Sequence, residues 1–317
     1  MAFEMSYTQG LDEVGDGLFA YLQPDGGWGW SNAGLVVDGE STLLVDTLYD
    51  LPLTRQMLHT MRRAVPAAAR IDTLVNTHAN GDHCYGNQLV DGARIVASER
   101  TAAEMSELPP AAMAALLEQA PAMGETGAFF LECFGAFDFN GIGLALPEET
   151  FAGELTLRVG DRELRLIEVG PAHTRGDTLV LAPAERVLFS GDILFSEAHP
   201  IAWAGPVSNW IAACDRILAM DVAVIVPGHG PLASLDAVRE LRAYFEYLYE
   251  QARECRALGM SALQAARAIS LQRWADWGES ERLVVNIANI YNELSDTREP
   301  INPLSAFEQM AELARSR

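Results

Sequence analysis

His78-Ala79-Asn80-Gly81-Asp82-His83 sets two imidazoles and a carboxylate within six residues, directly after the apolar run Ile71 to Val75. A run of that length bounded by turn residues reads as a buried strand, which delivers the three groups together at its exposed end. Imidazole and carboxylate suit zinc and its first-row neighbours. A bound metal of that kind makes hydroxide from water near neutral pH.

The other candidate donors repeat this placement. Of the six histidines in the chain, four stand beside turn residues at strand ends. His78 and His83 share the first loop, His173 lies in Gly170-Pro171-Ala172-His173-Thr174-Arg175-Gly176-Asp177, and His229 lies in Pro227-Gly228-His229-Gly230. Asp46 ends Leu43-Leu44-Val45, and Asp192 follows Val187-Leu188-Phe189-Ser190-Gly191. Each potential ligand thus has its own rigid strand behind it, as a preorganised metal site requires. His59, on the polar side of a helix, and His199, before Pro200, are read as ordinary histidines, with His199 close enough in sequence to Asp192 to approach the cleft.

Outward from these loops, Leu18 to Leu22, Gly34 to Val37 and Thr42 to Val45 read as strands, antiparallel because their connections are short. Leu51 to Val65 has helical spacing, and Arg94 to Ala97 is a further strand. Residues 101 to about 150 break the rhythm with helix-compatible residues and a run of phenylalanines, and read as an insertion. Strands resume at Leu155 to Leu157, Leu164 to Ile167, Leu179 to Leu181, Val187 to Phe189 and Val222 to Val226. From about Leu235 the chain is helical and ends in a polar tail. Two groups of strands punctuated by helices predict an α/β sandwich, two sheets face to face with helices outside. The predicted division is a catalytic domain over 1–234, including the insertion, and a helical extension over 235–317 packed on it.

Hydrophobic content of 49% supplies a sizeable core and excludes a disordered chain. Lys+Arg 22 against Asp+Glu 44 gives a net charge of -22, which repels phosphate backbones and anionic lipid, so neither nucleic acid nor a membrane is an expected partner. No apolar stretch approaches the roughly 20 residues of a membrane span. The N-terminus lacks a secretion-signal pattern, which makes the cytoplasm the default expectation. Cys84, Cys133, Cys214 and Cys255 are scattered and are expected to be reduced thiols, Cys84 as a packing residue.

In the order Asp46, the His78–His83 loop, His173, Asp192 and His229, the motifs resemble those of the metallo-β-lactamase superfamily, up to about Pro231. The resemblance implies an αββα sandwich of two mixed sheets flanked by helices. It also implies one metal pocket of His78, residue 80 and His173, a second of Asp82, His83 and His229, and Asp192 between them. Where the family usually has a third histidine this chain has Asn80, giving HxNxDH. An amide oxygen is a poorer zinc ligand than imidazole, so one tight metal and one weak one are expected, with manganese and iron as alternatives to zinc. Asn80-Gly81 also suits a tight turn with positive φ. Asp46 is expected to anchor the loop rather than bind metal.

The implied chemistry is hydrolysis of an activated acyl bond by metal-bound hydroxide, with Asp82 orienting the nucleophile or moving its proton. Trp28 and Trp30 in a glycine-rich hairpin, Phe129, Phe130, Phe134 and Phe137 in the insertion, and Trp203 are the candidates for binding an apolar or aromatic acyl substrate. Gly27-Trp28-Gly29-Trp30-Ser31-Asn32-Ala33-Gly34 also resembles the hairpin of superfamily thioesterases and cyclases of aromatic-polyketide synthesis. Competing readings are that cyclase/thioesterase, a non-catalytic metal-binding scaffold, and an iron redox protein, the last opposed by the weakened pocket. The near-continuous apolar run Tyr244 to Tyr249 leaves a homodimer contact open, with burial against the chain's own sheet preferred.

Overall fold

The computed structural model describes residues 7–296 and 300–316. Seven strands form the first sheet in chain order: β1 (Gly10–Gly15), β2 (Leu18–Leu22), β3 (Ala33–Asp38), β4 (Ser41–Val45), β5 (Thr73–Val75), β6 (Arg94–Ser98) and β7 (Glu149–Phe151). Short connections make β1 to β4 antiparallel, whereas β4 to β7 are parallel because long excursions return the chain to its starting end. The first excursion is helix α1 (Leu51–Ala64), which starts where the Asp50 carboxylate accepts the Leu53 N–H. Its stripe Leu51, Thr54, Met57, Leu58 and Met61 is buried.

The second sheet runs β12-β11-β10-β9-β8, comprising β8 (Glu154–Val159), β9 (Arg162–Glu168), β10 (Thr178–Ala182), β11 (Val187–Phe195) and β12 (Val224–His229). Leu18, Leu22, Val36 and Val45 of one sheet pack with Leu164, Leu166, Val180 and Phe189 of the other to fill the space between them. At Gly34 the approach is so close that a Cβ would sit 2.3 Å from the Phe189 ring. Helix α1 covers the first sheet from outside through Leu35, Leu44, Leu74 and Ile95. On the far side lie α6 (Val207–Leu218) and α7 (Leu235–Ala257), so the layers follow the helix-sheet-sheet-helix order expected from the sequence.

The short helices complete the chain order: α2 (Gly81–Cys84), α3 (Glu99–Glu104), α4 (Pro110–Gln119), α5 (Gly124–Phe134), α8 (Ala262–Ala268), α9 (Leu283–Glu293) and α10 (Pro303–Ala314). Strands β1 and β7 escaped the sequence reading because β1 is polar and half-buried and β7 spans three residues. The polar tail is also corrected. Leu283, Val284, Val285, Ile287 and Ile290 bury α9, and α10 packs on both α9 and α5. In α7, Tyr244, Phe245 and Leu248 are buried between α6, α8 and α9, which explains a run too broad for one amphipathic stripe. All four cysteines are free, and three of them are buried. Among the described residues no helix is long and apolar enough to cross a membrane.

Candidate metal centre

Five chain segments meet at one end of the sandwich. After β5 the backbone passes Asn76, Thr77 and His78, then enters α2 with Asn80 at its N-cap. Asn80 has φ -67 and ψ 143, and Gly81 is helical, so the positive-φ turn expected here is replaced by a helical turn. Glycine is required for another reason: a Cβ on Gly81 would lie 2.5 Å from the Tyr85 ring. Within α2 successive side chains diverge by about 100°, which brings Asp82 and His83 to the centre and turns Cys84 toward the Ala79 carbonyl, 3.5 Å from its Sγ. Cys84 is therefore excluded by helix rotation rather than by the alternation of an extended chain.

Asp192 was read at a strand end, yet β11 continues to Phe195, with its pairing to β12 shifting register around Gly191 (φ 50). That irregularity sets the Asp192 carboxylate within 3.7 Å of all four imidazoles. Oδ1 is 3.1 Å from His83 Nε2, while Oδ2 is 3.2 Å from His173 Nε2, 3.5 Å from His229 Nε2 and 3.7 Å from His78 Nε2. The Asp82 Oδ2 atom is 3.2 Å from His229 Nε2 and 3.9 Å from His83 Nε2. His59 is exposed, and His199 is buried against Tyr244 and Trp277 outside the cavity-lining set.

The centre is braced from behind. Asp46, at φ 62, lies 3.0 Å from His83 Nδ1 through Oδ2, and its two oxygens also accept the Thr77 N–H and hydroxyl at 2.7 Å. It anchors the loop from a position behind His83. His173 Nδ1 is 2.7 Å from the Ile201 carbonyl and so carries the proton there, leaving Nε2 as an acceptor toward the centre. Asn80 Nδ2 donates to that Nε2 at 3.1 Å. Sequence reasoning missed Asp177, whose buried carboxylate accepts the N–H groups of Ala172 and Thr174 and the Thr174 hydroxyl, shaping the His173 loop. It also missed Asn76, which donates to the His83 carbonyl. Asp177 was legible only as the last residue of a loop already singled out.

Burial opposes charge on every one of these groups, and their mutual attraction decides which keep it. The Asp192 and Asp82 carboxylates overcome burial and hold His83 well above the usual imidazole range, and the same pair lifts His229 to about 9. Burial, aided by His83, pushes His78 well below that range, and burial lowers His173 as well. For Asp82 the neighbouring His83 and His229 outweigh burial and hold it down at about 2.

Donor atoms of His78, His83 and Asp192 lie within 4.8 Å of one another, as do those of Asp82, His83 and His229. His78 Nε2 is buried without a hydrogen-bond partner, as befits an atom whose partner is a cation. The residues present therefore fit a divalent metal.

Above the centre opens a cavity of about 870 Å³. Trp28, Phe130, Phe134 and Trp203, all singled out from the sequence, line it together with Asp82, His173, Asp192 and His229. Trp30, Phe129 and Phe137 do not: Trp30 and Phe129 face a smaller neighbouring cleft, and Phe137 packs on Trp30 and Tyr49. Tyr49, Phe195, Phe307 and Arg282 also line the large cavity and were not foreseen, since nothing local distinguishes them from core residues.

Comparison with known proteins fits this geometry. The family described as the metallo-beta-lactamase superfamily matches residues 26–229. The 2,4-dinitroanisole O-demethylase subunit alpha of Nocardioides sp. (strain JS1661) is 27% identical over 76% of this chain and 63% of its own length. The acyl-coenzyme A thioesterase MBLAC2 of Homo sapiens is 25% identical over 37% of this chain and 42% of its own. The chain thus spans less than two thirds of either relative. In structure it is similar to the inverting sec-alkylsulfatase Pisa1 from Pseudomonas sp., with TM-score 0.66 and 17% identity over 90% of this chain and 50% of that one. A metallo-beta-lactamase from Pontibacter korlensis gives TM-score 0.56 and 20% identity over 75% and 99%.

Proposed function

The chain belongs to the metallo-beta-lactamase superfamily, and from that premise we propose that it is a metal-dependent hydrolase cleaving an activated acyl bond, a thioester, ester or lactone, of an apolar or aromatic substrate. The observation that carries the reading is the aromatic-walled cavity opening directly onto the braced donor cluster. The name of the thioesterase relative supports the acyl chemistry.

Zinc is the cation proposed, held tightly by Asp82, His83 and His229. His78, Asn80 and His173 form the weak position, and Asp192 faces both. A bound cation supplies Lewis acidity and water activated near neutral pH. The protein's own contributions are distinct. Asp82 would orient the attacking water or move its proton, Asp46 would fix the tautomer and direction of His83, and Trp28, Phe130, Phe134 and Trp203 would hold the acyl group and exclude bulk water.

The test is elemental analysis of protein purified without chelator, followed by a panel of aryl thioesters, aryl esters and lactones. About one metal per chain and chelator-sensitive turnover are expected. Metal with every acyl substrate inert would turn the reading toward cyclisation or a scaffold. A second reading comes from the O-demethylase relative, whose match covers 76% of this chain: hydrolytic cleavage of an aryl methyl ether, checked by adding such an ether to the panel.

A further inference from the structure

Arg282 precedes α9 and lines the cavity, although it is only 1% exposed. Its guanidinium lies 4.2 Å from the centroid of the Trp28 ring and 5.3 Å from that of Phe195. One phenyl ring separates it from the metal centre, because Phe195 stacks on His229 at 5.2 Å. Nη1 donates to the His199 carbonyl at 3.0 Å, but Nε is buried without any hydrogen-bond partner.

Two carboxylates stand near Arg282, and neither forms an ion pair with it among the described residues. Glu281 accepts the Trp28 indole N–H at 2.9 Å, and Glu279, near enough to feel the Arg282 charge, forms no ion pair with it among the described residues. Arg175, the other arginine of the cavity wall, is already paired with Glu104 and Glu107. Packing alone does not account for Arg282. Stacking between two aromatic rings would be served by an apolar side chain, without an orphaned donor on a permanent charge in a poorly solvated place.

We propose that Arg282 selects the substrate by charge, receiving a carboxylate carried at the end of the acyl substrate remote from the scissile bond. The substrate class is then an apolar or aromatic acid derivatised at one end and ionised at the other. The reaction at the metal rests on the hydrolase reading above, but the anion preference does not. A planar guanidinium presents its edge donors as a fork that matches a carboxylate, and the low-dielectric walls strengthen the pairing.

The test is calorimetric binding of 2-naphthoate and of its neutral isostere 2-naphthamide to the purified chain. Wild type is expected to bind the carboxylate about tenfold more tightly or better, corresponding to about 1.4 kcal/mol. Arg282→Met, verified as folded by its thermal melt, should reduce that preference to within about twofold, Arg282→Lys should keep part of it, and Arg175→Met should keep all of it. Equal binding of the two probes by wild type overturns the proposal even if Arg282→Met does not fold. So does a preference that survives in folded Arg282→Met or vanishes in Arg175→Met. A chain that shows the preference yet hydrolyses no acyl substrate sinks the hydrolase reading and leaves the role of Arg282 standing.

Discussion

The two halves of the donor cluster are built alike and differ in one side chain. In each, an imidazole is fixed from behind, His83 by the Asp46 carboxylate at 3.0 Å and His173 by the Ile201 carbonyl at 2.7 Å. Each half also faces Asp192. The Asp82 half offers a carboxylate and two imidazoles, whereas the His78 half has an amide whose nitrogen already donates to His173 Nε2. The amide at position 80 is the chemical difference between the halves, and in geometry His78 groups with His83 and Asp192 rather than with His173. Their electrostatics diverge too: His83 and His229 are lifted by the two carboxylates, and His78 and His173 are lowered by burial.

The most severe way to break this comparison is to remove a ligand from each half. Asp82→Ala should lower kcat/KM by about 10³-fold with the thermal melt retained, whereas His78→Ala should cost about tenfold. Equal losses would mean that both halves carry the reaction. Asp177→Ala comes next, because it strips the His173 loop of a buried acceptor shared by Ala172 and Thr174. A loss of about 3 kcal/mol in denaturant unfolding is expected, and an unchanged midpoint would show that the loop holds itself.

Asp46→Ala sharpens the contrast at lower cost. Without its brace, His83 should bind metal about 10 to 100-fold more weakly in competition with a chromogenic chelator, and unaltered affinity would deny the brace any role. The gentlest change is Asn80→His, which gives the poor half its missing imidazole. Metal content should rise from about one toward two per chain by elemental analysis. A content that stays at one would place the asymmetry in the scaffold instead.

Much of the centre was legible because its donors follow or lie within hydrophobic strands, with β5 ahead of His78, Asp82 and His83, β9 ahead of His173, and β11 and β12 carrying Asp192 and His229, and strand patterning is written locally. The helical turn at Gly81–Cys84 was not, since four residues carry no periodicity and the decisive contact is the Tyr85 ring against Gly81. The register shift in β11 that aims Asp192 was equally silent, because it is a property of pairing with β12. The aromatic candidates divide between two clefts for the same reason. Phe130 and Phe134 face the cavity while Phe129 faces the smaller cleft, a division fixed by how α5 meets α10.

By itself the sequence determined most of the strands, the sandwich of two sheets, and the set of imidazoles and carboxylates with its one amide exception, since hydrophobic period and ligand chemistry are properties of short segments. Only the tertiary structure decided what surrounds that set. Trp28 meets Glu281 across 253 residues of chain, and Arg282 arrives with it at the cavity wall. Contacts of that separation follow from how the helices after β12 close over the sheets, and no local pattern encodes which side chain they bring to the site.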